Sequence, residues 1–259
     1  MENIKSHIQM PKFMLRRFVN DQKHFYYYDV VSSSISKGFP KSLNTQLNFY
    51  SSDMEKALSK NIEEPFSKVA KFVDQIGREN TIFYINQEQY TAIINYARSL
   101  LIRNPNLIKD AISAAQFSFL LNPEDQNSLA VFHGFQKATE DKLFSDFFPT
   151  FLINRTSTPF VLPLIGMYEY FEDNQKKIVL PVDKFSAIMF LEKKHMINYS
   201  DERKLLTKFQ ITDDNTIFTL NQVAILQQIR MKYGCVVSPS KELLTLLLKS
   251  LDNTDALNI

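Results

Sequence analysis

The sequence predicts an α+β protein: a central α-helical layer with an N-terminal β-hairpin and a C-terminal, mostly antiparallel sheet. Three observations lead there. An aromatic, β-branched run from Lys23 to Val31 stands between polar turn residues near the N-terminus. Between Ser52 and Phe144 apolar residues recur at helical spacing. From Phe147 to Leu191 the chain breaks into short β-rich segments separated by Pro, Asn and Asp. There is no internal repeat and no low-complexity linker. The 259 residues therefore read as a single α+β domain, with a helical part at about 52–144 inserted between the hairpin and a sheet at about 147–191.

Taken in order, Pro11 suits the first turn of a short helix, because its missing N–H costs nothing there. Phe13, Met14, Leu15 and Phe18 then give an apolar side, and Lys12, Arg16 and Arg17 a basic one. Lys23 to Val31 reads as a strand, with Ser34 to Lys37 pairing back. Phe39 to Tyr50, with Pro40 and several Asn, reads as irregular. Ser52 or Asp53 can cap the next helix, whose stripe is Met54, Leu58, Ile62, Phe66, Val69 and Val73. Pro65 lies inside that stripe, so a kink or break is expected near Glu64. Residues 79–85 read as a connector. Asn86 caps a strong helix with the stripe Tyr90, Ile93, Ile94, Ala97, Leu100 and Leu101, ending at Asn104-Pro105. Two further helices are expected at about 107–121 and 123–144. Five strands follow, at 147–154, 160–164, 167–171, 177–181 and 187–191. Helices return at Leu205, at 220–233 and at 241–251, and 252–259 reads as a frayed tail.

Composition narrows the functional classes. Five glycines leave little room for Gly-rich phosphate loops, which argues against Rossmann and P-loop enzymes. A net charge of +2 gives no global field toward nucleic acid. The lone Cys235 has no internal disulfide partner, which allows a reducing compartment. Met1 leads into Glu2 and Lys5 with no apolar run behind it, and no stretch approaches the roughly 18 apolar residues needed to span a bilayer. A soluble, cytoplasmic protein without membrane attachment is expected. There is no Cys/His cluster, HExxH, GxSxG or Walker motif. His24, His133 and His195 are isolated, and Cys235 beside Val236-Val237 reads as a core thiol.

The chemistry-bearing residues concentrate between Ser6 and Glu64. His7 with Glu55 or Glu63 fits a general acid–base set, and Arg16 or Arg17 fits a bidentate phosphate contact. Such a group suits phosphodiester cleavage, with or without one divalent metal ion such as Mg²⁺. On a straight α-helix the eight-residue spacing of Glu55 and Glu63 gives a lateral offset of about 80° and a rise of roughly 12 Å, too far to share an ion. The competing structural account makes Glu55 a dipole-favoured carboxylate near a helix N-terminus and Glu63 a solvated or Arg-paired group. Lys12, Arg16, Arg17 and Lys23 could contact a nucleic-acid backbone, with Phe13, Tyr26, Tyr27 and Tyr28 stacking on bases.

The spacing His7, Pro11, Leu15, Phe18, followed by Phe49-Tyr50 and a helix carrying Glu55 and Glu63, resembles a large bacterial group, the DUF4238 family, a domain of unknown function. Asn221 and the stretch Pro159 to Pro181 fit the later part of its pattern. The His-to-Pro spacing is one residue longer here, and Ser157-Thr158-Pro159-Phe160 stands where the family often carries Ser-Asp-Asn-Pro. The resemblance implies a fold, and hints at an accessory or mobile-element protein. Three functional readings stay open. The first is a nucleic-acid-directed effector, nuclease-like, of bacterial defence or toxin type. The second is an interaction module for a protein partner or a second copy of the chain. The third is an enzyme on a nucleotide-like small molecule.

Overall fold

The computed structural model describes residues 5–78, 83–114, 121–195, 205–206 and 208–252. In chain order they form β1 (Lys5–His7), α1 (Lys12–Leu15), β2 (Phe25–Asp29), β3 (Ser34–Gly38), β4 (Thr45–Leu47), α2 (Ser52–Leu58) and α3 (Glu64–Arg78). Then come β5 (Phe83–Tyr84), α4 (Gln87–Ile102), α5 (Pro105–Ala114) and α6 (Pro123–Glu140). The second half is β6 (Phe147–Asn154), β7 (Leu162–Pro163), β8 (Tyr168–Glu172), β9 (Gln175–Asp183), β10 (Ser186–Glu192), β11 (Leu205–Leu206), β12 (Lys208–Ile211), α7 (Asp214–Arg230), β13 (Cys235–Ser238) and α8 (Lys241–Asp252). The fold class is the expected mixed α+β.

The larger sheet runs β12-β6-β10-β9-β8 and is antiparallel except for the parallel pair β12–β6. The N-terminal hairpin β2–β3 is not free-standing. It continues into β13 and β7, giving a second sheet in the order β3-β2-β13-β7. One contiguous core of buried side chains runs from Met10 to Leu247 and includes Phe18, Phe25, Phe66, Phe151, Phe160 and Phe190. Phenylalanine supplies much apolar area without a polar atom to satisfy, which is how a core without Trp is filled. A small satellite cluster of Tyr50, Leu58, Ile108 and Val131 joins α2, α5 and α6.

Several expectations are corrected. Leu205 lies on a strand paired with β5, not on a helix. The 39–50 stretch contains β4, which pairs with β1 so that Ser6 faces Gln46 and His7 faces Thr45. Cys235–Ser238 is a central strand, buried on both faces; a run of four apolar or small residues gives no alternation to read. The cap of α2 is Ser51, whose hydroxyl accepts from Met54 N–H. Helix α7 begins at Asp214, capped by Asp213, six residues before Leu220. Parts of the expected 79–85 connector and 107–121 helix, and nearly all of the 252–259 tail, lie outside the described residues. Asn86 forms the full capping box with Gln89.

The irregularity before Pro65 takes a specific form. Residues Ser59–Glu63 make a π-turn, with Glu64 N–H bonded to Ser59 C=O. Pro65 has no N–H and its ring presses on the preceding turn, and a wider turn there keeps the chain helical. This π-turn decides where two carboxylates point.

Candidate functional site

A π-turn acts as a one-residue insertion into an α-helix. It makes the Glu55-to-Glu63 spacing behave like seven residues, which lie within about 20° of one face. Both carboxylates therefore turn toward the same neighbour, Arg103, at the end of α4. Tyr96, seven residues earlier, shares that face of α4.

Arg103 is 1% exposed, and its guanidinium is divided among three partners. Nη1 donates to Glu63 Oε1 at 2.9 Å, Nε to Ile8 C=O at 3.1 Å, and Nη2 to His7 C=O at 2.5 Å. Tyr50 Oη donates to the same Ile8 carbonyl at 2.8 Å, and the Tyr50 ring centroid lies 5.8 Å from Arg103 Cζ. The strand carrying Ser6 and His7 is thus fastened to α4 through its own carbonyls. At its end, His7 Nε2 bonds Pro40 C=O at 2.9 Å. A carbonyl can only accept, so Nε2 carries the proton and Nδ1 is left with the lone pair in the neutral ring.

The cluster is not fully satisfied. Ser6 Oγ, Glu55 Oε1 and Tyr96 Oη are buried with no hydrogen-bond partner. Ser6 sits near Glu55 and draws its pKa down without reaching full hydrogen-bond geometry. Tyr96 stacks on Phe66 at 3.8 Å with its hydroxyl in the field of Glu63 and Arg103. Orphaned buried polar atoms cost free energy, and three around one ion pair mark a place where a polar ligand atom or water would be stabilised.

The electrostatics follow from burial and from Arg103. Burial pushes the Glu55 carboxyl above its usual range; Ser6 and Arg103 oppose this, and Glu63 adds to it. Burial likewise lowers the His7 imidazole, against the Pro40 hydrogen bond and Glu63, which raise it, and with Arg103 and Lys12, which lower it further. Burial also pushes the Tyr50 phenol up to about 12. Burial works against the charge of Arg103, but Tyr50, Glu63 and Glu55 outweigh it, and the guanidinium stays charged. The result is an acid, Glu55, held in its protonated form longer than usual, and a base, His7, held neutral, both in the field of Arg103 and Glu63.

Of the predicted residues, the structure gathers Glu63, Glu55 and the backbone carbonyl of His7 around Arg103, turns the His7 ring to Pro40, and leaves Arg16 and Arg17 out. Arg16 is exposed on the turn after α1 and is not among the charges acting on His7 or Glu55. Arg17 is committed elsewhere. It donates to Val182 C=O at 2.9 Å, Ala70 C=O at 3.3 Å and Asp183 Oδ2 at 2.9 Å, and pairs with Asp74. It clamps α3 to the end of β9, so it is not the phosphate ligand its sequence context suggests. Arg103 was missed because a lone Arg at a helix C-terminus is ordinary dipole complementation. Its only signal was its place beside Asn104-Pro105 at the end of a well-capped helix.

Among the described residues no group of three or more His, Cys, Asp or Glu side chains converges as a metal shell. The cation that pairs with Glu63 and acts on Glu55 is the Arg103 guanidinium. Among those residues, too, no helix is long and apolar enough to cross a membrane. Cys235 is buried, and burial raises its thiol to about 12, which leaves it inert. His24 is a buried structural ring bonded to Asn20. No family model, no curated protein and no solved structure matches this chain.

Proposed function

We propose that the Arg103 cluster is the centre of a phosphodiester hydrolase acting on nucleic acid. One observation carries this reading: the buried Arg103–Glu63 pair acts on both a neutral imidazole, His7, and a proton-retaining carboxyl, Glu55, and Ser6 Oγ, Glu55 Oε1 and Tyr96 Oη beside it lie outside full hydrogen-bond geometry. His7 Nδ1 takes the proton of the attacking hydroxyl or water. Glu55 returns a proton to the leaving oxygen. Arg103 and Glu63 are positioning residues: they fix β1 and balance the charge around Glu55. General acid–base contributions of this kind are worth about 10²–10⁴-fold each.

The pH dependence follows from the two shifts. Activity falls as pH drops below about 6.5, through the lowered His7 pKa, because the base is protonated. It falls again as pH rises from about 4.5 through the raised Glu55 pKa, because the acid is spent. The profile is a bell on the acid side of neutrality. The test is incubation of the purified chain with labelled RNA and DNA, with and without Mg²⁺, beside His7→Ala. Cleavage that His7→Ala removes supports the reading; absence of cleavage under every condition sinks it.

A second reading has its own observation. A groove of about 420 Å³ between α2 and α6 is lined by Met54, Ala57, Leu121, Leu129 and Phe132, and its last three residues are exposed large hydrophobics. An apolar patch of this kind suits a protein partner or a second copy of the chain. Concentration-dependent sedimentation that Phe132→Glu abolishes would favour it.

A further inference from the structure

The turn that receives His7 carries an aromatic platform. Phe39 is 49% exposed, unusual for so large an apolar ring in a chain that buries most of its phenylalanines. It is held rigidly. Its carbonyl accepts from Ser42 N–H at 3.0 Å and Leu43 N–H at 3.2 Å, which closes the turn. On the other side Gly38 lies against Phe25 so tightly that a Cβ would come within 2.5 Å of the Phe25 ring. The His24 ring supports Phe39 from one side at 6.2 Å. The next residue is Pro40, whose carbonyl is the acceptor of His7 Nε2. Consecutive Cα atoms are about 3.8 Å apart, so the platform stands one residue from the carbonyl that receives His7 Nε2.

The segment that carries the platform is predominantly basic. Between Asn3 and Ser52 the chain carries seven Lys and Arg against two Asp, although the whole chain is nearly neutral. Lys37 Nζ lies 5.7 Å from the Phe39 ring centroid, Lys41 is exposed on the same turn, and Lys12 is close enough to act on His7. Among the described residues, none of these three lysines forms an ion pair with a carboxylate. An exposed ring whose lysine neighbours have no carboxylate partner suits an unpaired base followed by phosphate: Lys37, which lies over the ring, can turn to the phosphate as the base stacks, and stacking needs a free base face that a duplex does not offer.

We infer that Phe39, with Lys37, Lys41 and Lys12, forms a stacking platform for a single-stranded nucleic acid and delivers the adjoining phosphate to His7. This rests on the phosphodiesterase reading for the delivery step, but the platform itself is a binding site and is tested without cleavage. The base adjoining the scissile phosphate lies on Phe39, and the lysines hold the backbone on either side.

The experiment is fluorescence anisotropy of a labelled oligothymidylate, the matching oligouridylate and a duplex of equal length. It uses the full chain as wild type, His7→Ala, Phe39→Leu, Phe39→Tyr and the double variant Lys37→Gln/Lys41→Gln. Single strands are expected to bind tighter than the duplex. Phe39→Leu should weaken binding about tenfold, and Phe39→Tyr, which keeps the stacking face, should restore it. The salt dependence of log K should have a slope of about −2 for three phosphate contacts, falling to below −1 in magnitude in the lysine double variant. Equal affinity for duplex and single strand, or unchanged binding by Phe39→Leu, overturns the platform. The two claims separate cleanly. Binding lost in Phe39→Leu with no cleavage by wild type keeps the platform and removes the hydrolase; cleavage lost in His7→Ala with Phe39→Leu binding unchanged does the reverse.

Discussion

Two arginines in this molecule each face two carboxylates, and the contrast between them separates a fastening from a site. Arg17 joins Asp74 and Asp183, and the surroundings finish the job: Asp183 also accepts from Ser186 Oγ at 2.6 Å and Phe185 N–H at 2.6 Å, and Arg17 reaches two backbone carbonyls. Arg103 is the more buried of the two and pairs with Glu63 alone. Beside it Glu55 Oε1, Ser6 Oγ and Tyr96 Oη close no full hydrogen bond, although Ser6 lies near enough to Glu55 to favour its charge. The same elementary unit, a guanidinium with two acids, is closed in one place and open in the other. Structural polar networks are satisfied; a network left open at the cost of stability is where function is expected.

The largest test of this contrast is removal of each cation. Arg103→Met strands Glu63 and leaves the His7 carbonyl buried without its donor, and urea denaturation should show a loss of about 3–5 kcal/mol. Arg17→Met should cost less, about 1–3 kcal/mol, because Asp183 keeps its other donors and Asp74 can be hydrated. Equal losses would mean that the clusters are energetically alike. Circular dichroism is the suitable probe, since the chain has no Trp.

The next test uses neutralisation. Glu55→Gln removes a carboxylate whose burial Ser6 and Arg103 only partly offset, so it should raise stability at neutral pH by about 1 kcal/mol, or Tm by about 2–4 °C. The sign is fixed by linkage. A raised folded-state pKa means stability that is fully present below about pH 4.5 and lost as pH rises through the folded value, so the variant should flatten that decline. Asp74→Asn should have the same sign, starting from about pH 3.8, because burial and Asp183 raise its pKa while Arg17 opposes them. The effect should stay under about 0.5 kcal/mol, since Asp74 is 38% exposed and screened. His7 gives the opposite slope: its lowered pKa makes stability fall as pH drops below about 6.5, and His7→Gln should remove that fall.

Much of this fold was legible because local chemistry and tertiary packing agree. Asn86 as the cap of α4 and the aromatic run of β2 each carry their own signal in a few residues. What was not legible depends on partners far along the chain. Thr45–Leu47 is a strand only because Lys5–His7 lies beside it, and Cys235–Ser238 only because the N-terminal hairpin needs a neighbour. The site divides in the same way. His7, Glu55 and Glu63 stood out by residue type, but a straight-helix calculation set the two acids about 80° apart. The π-turn at Ser59–Glu63 corrects it, and only Pro65 hinted at that turn. Arg17 and Arg103 were interchangeable as letters; distances of 95 and 40 residues along the chain, to Ile8 and Glu63, gave Arg103 its role.

The most direct test of the central claim sets Glu55→Gln against Asp74→Asn on one labelled single-stranded RNA, assayed between about pH 4 and pH 8. If the open cluster is the active centre, Glu55→Gln is at least as stable as wild type yet cleaves about 100-fold more slowly or worse, and Asp74→Asn cleaves as wild type does. If the two variants keep equal activity, or Asp74→Asn is the one that fails, the open cluster is not where the chemistry occurs.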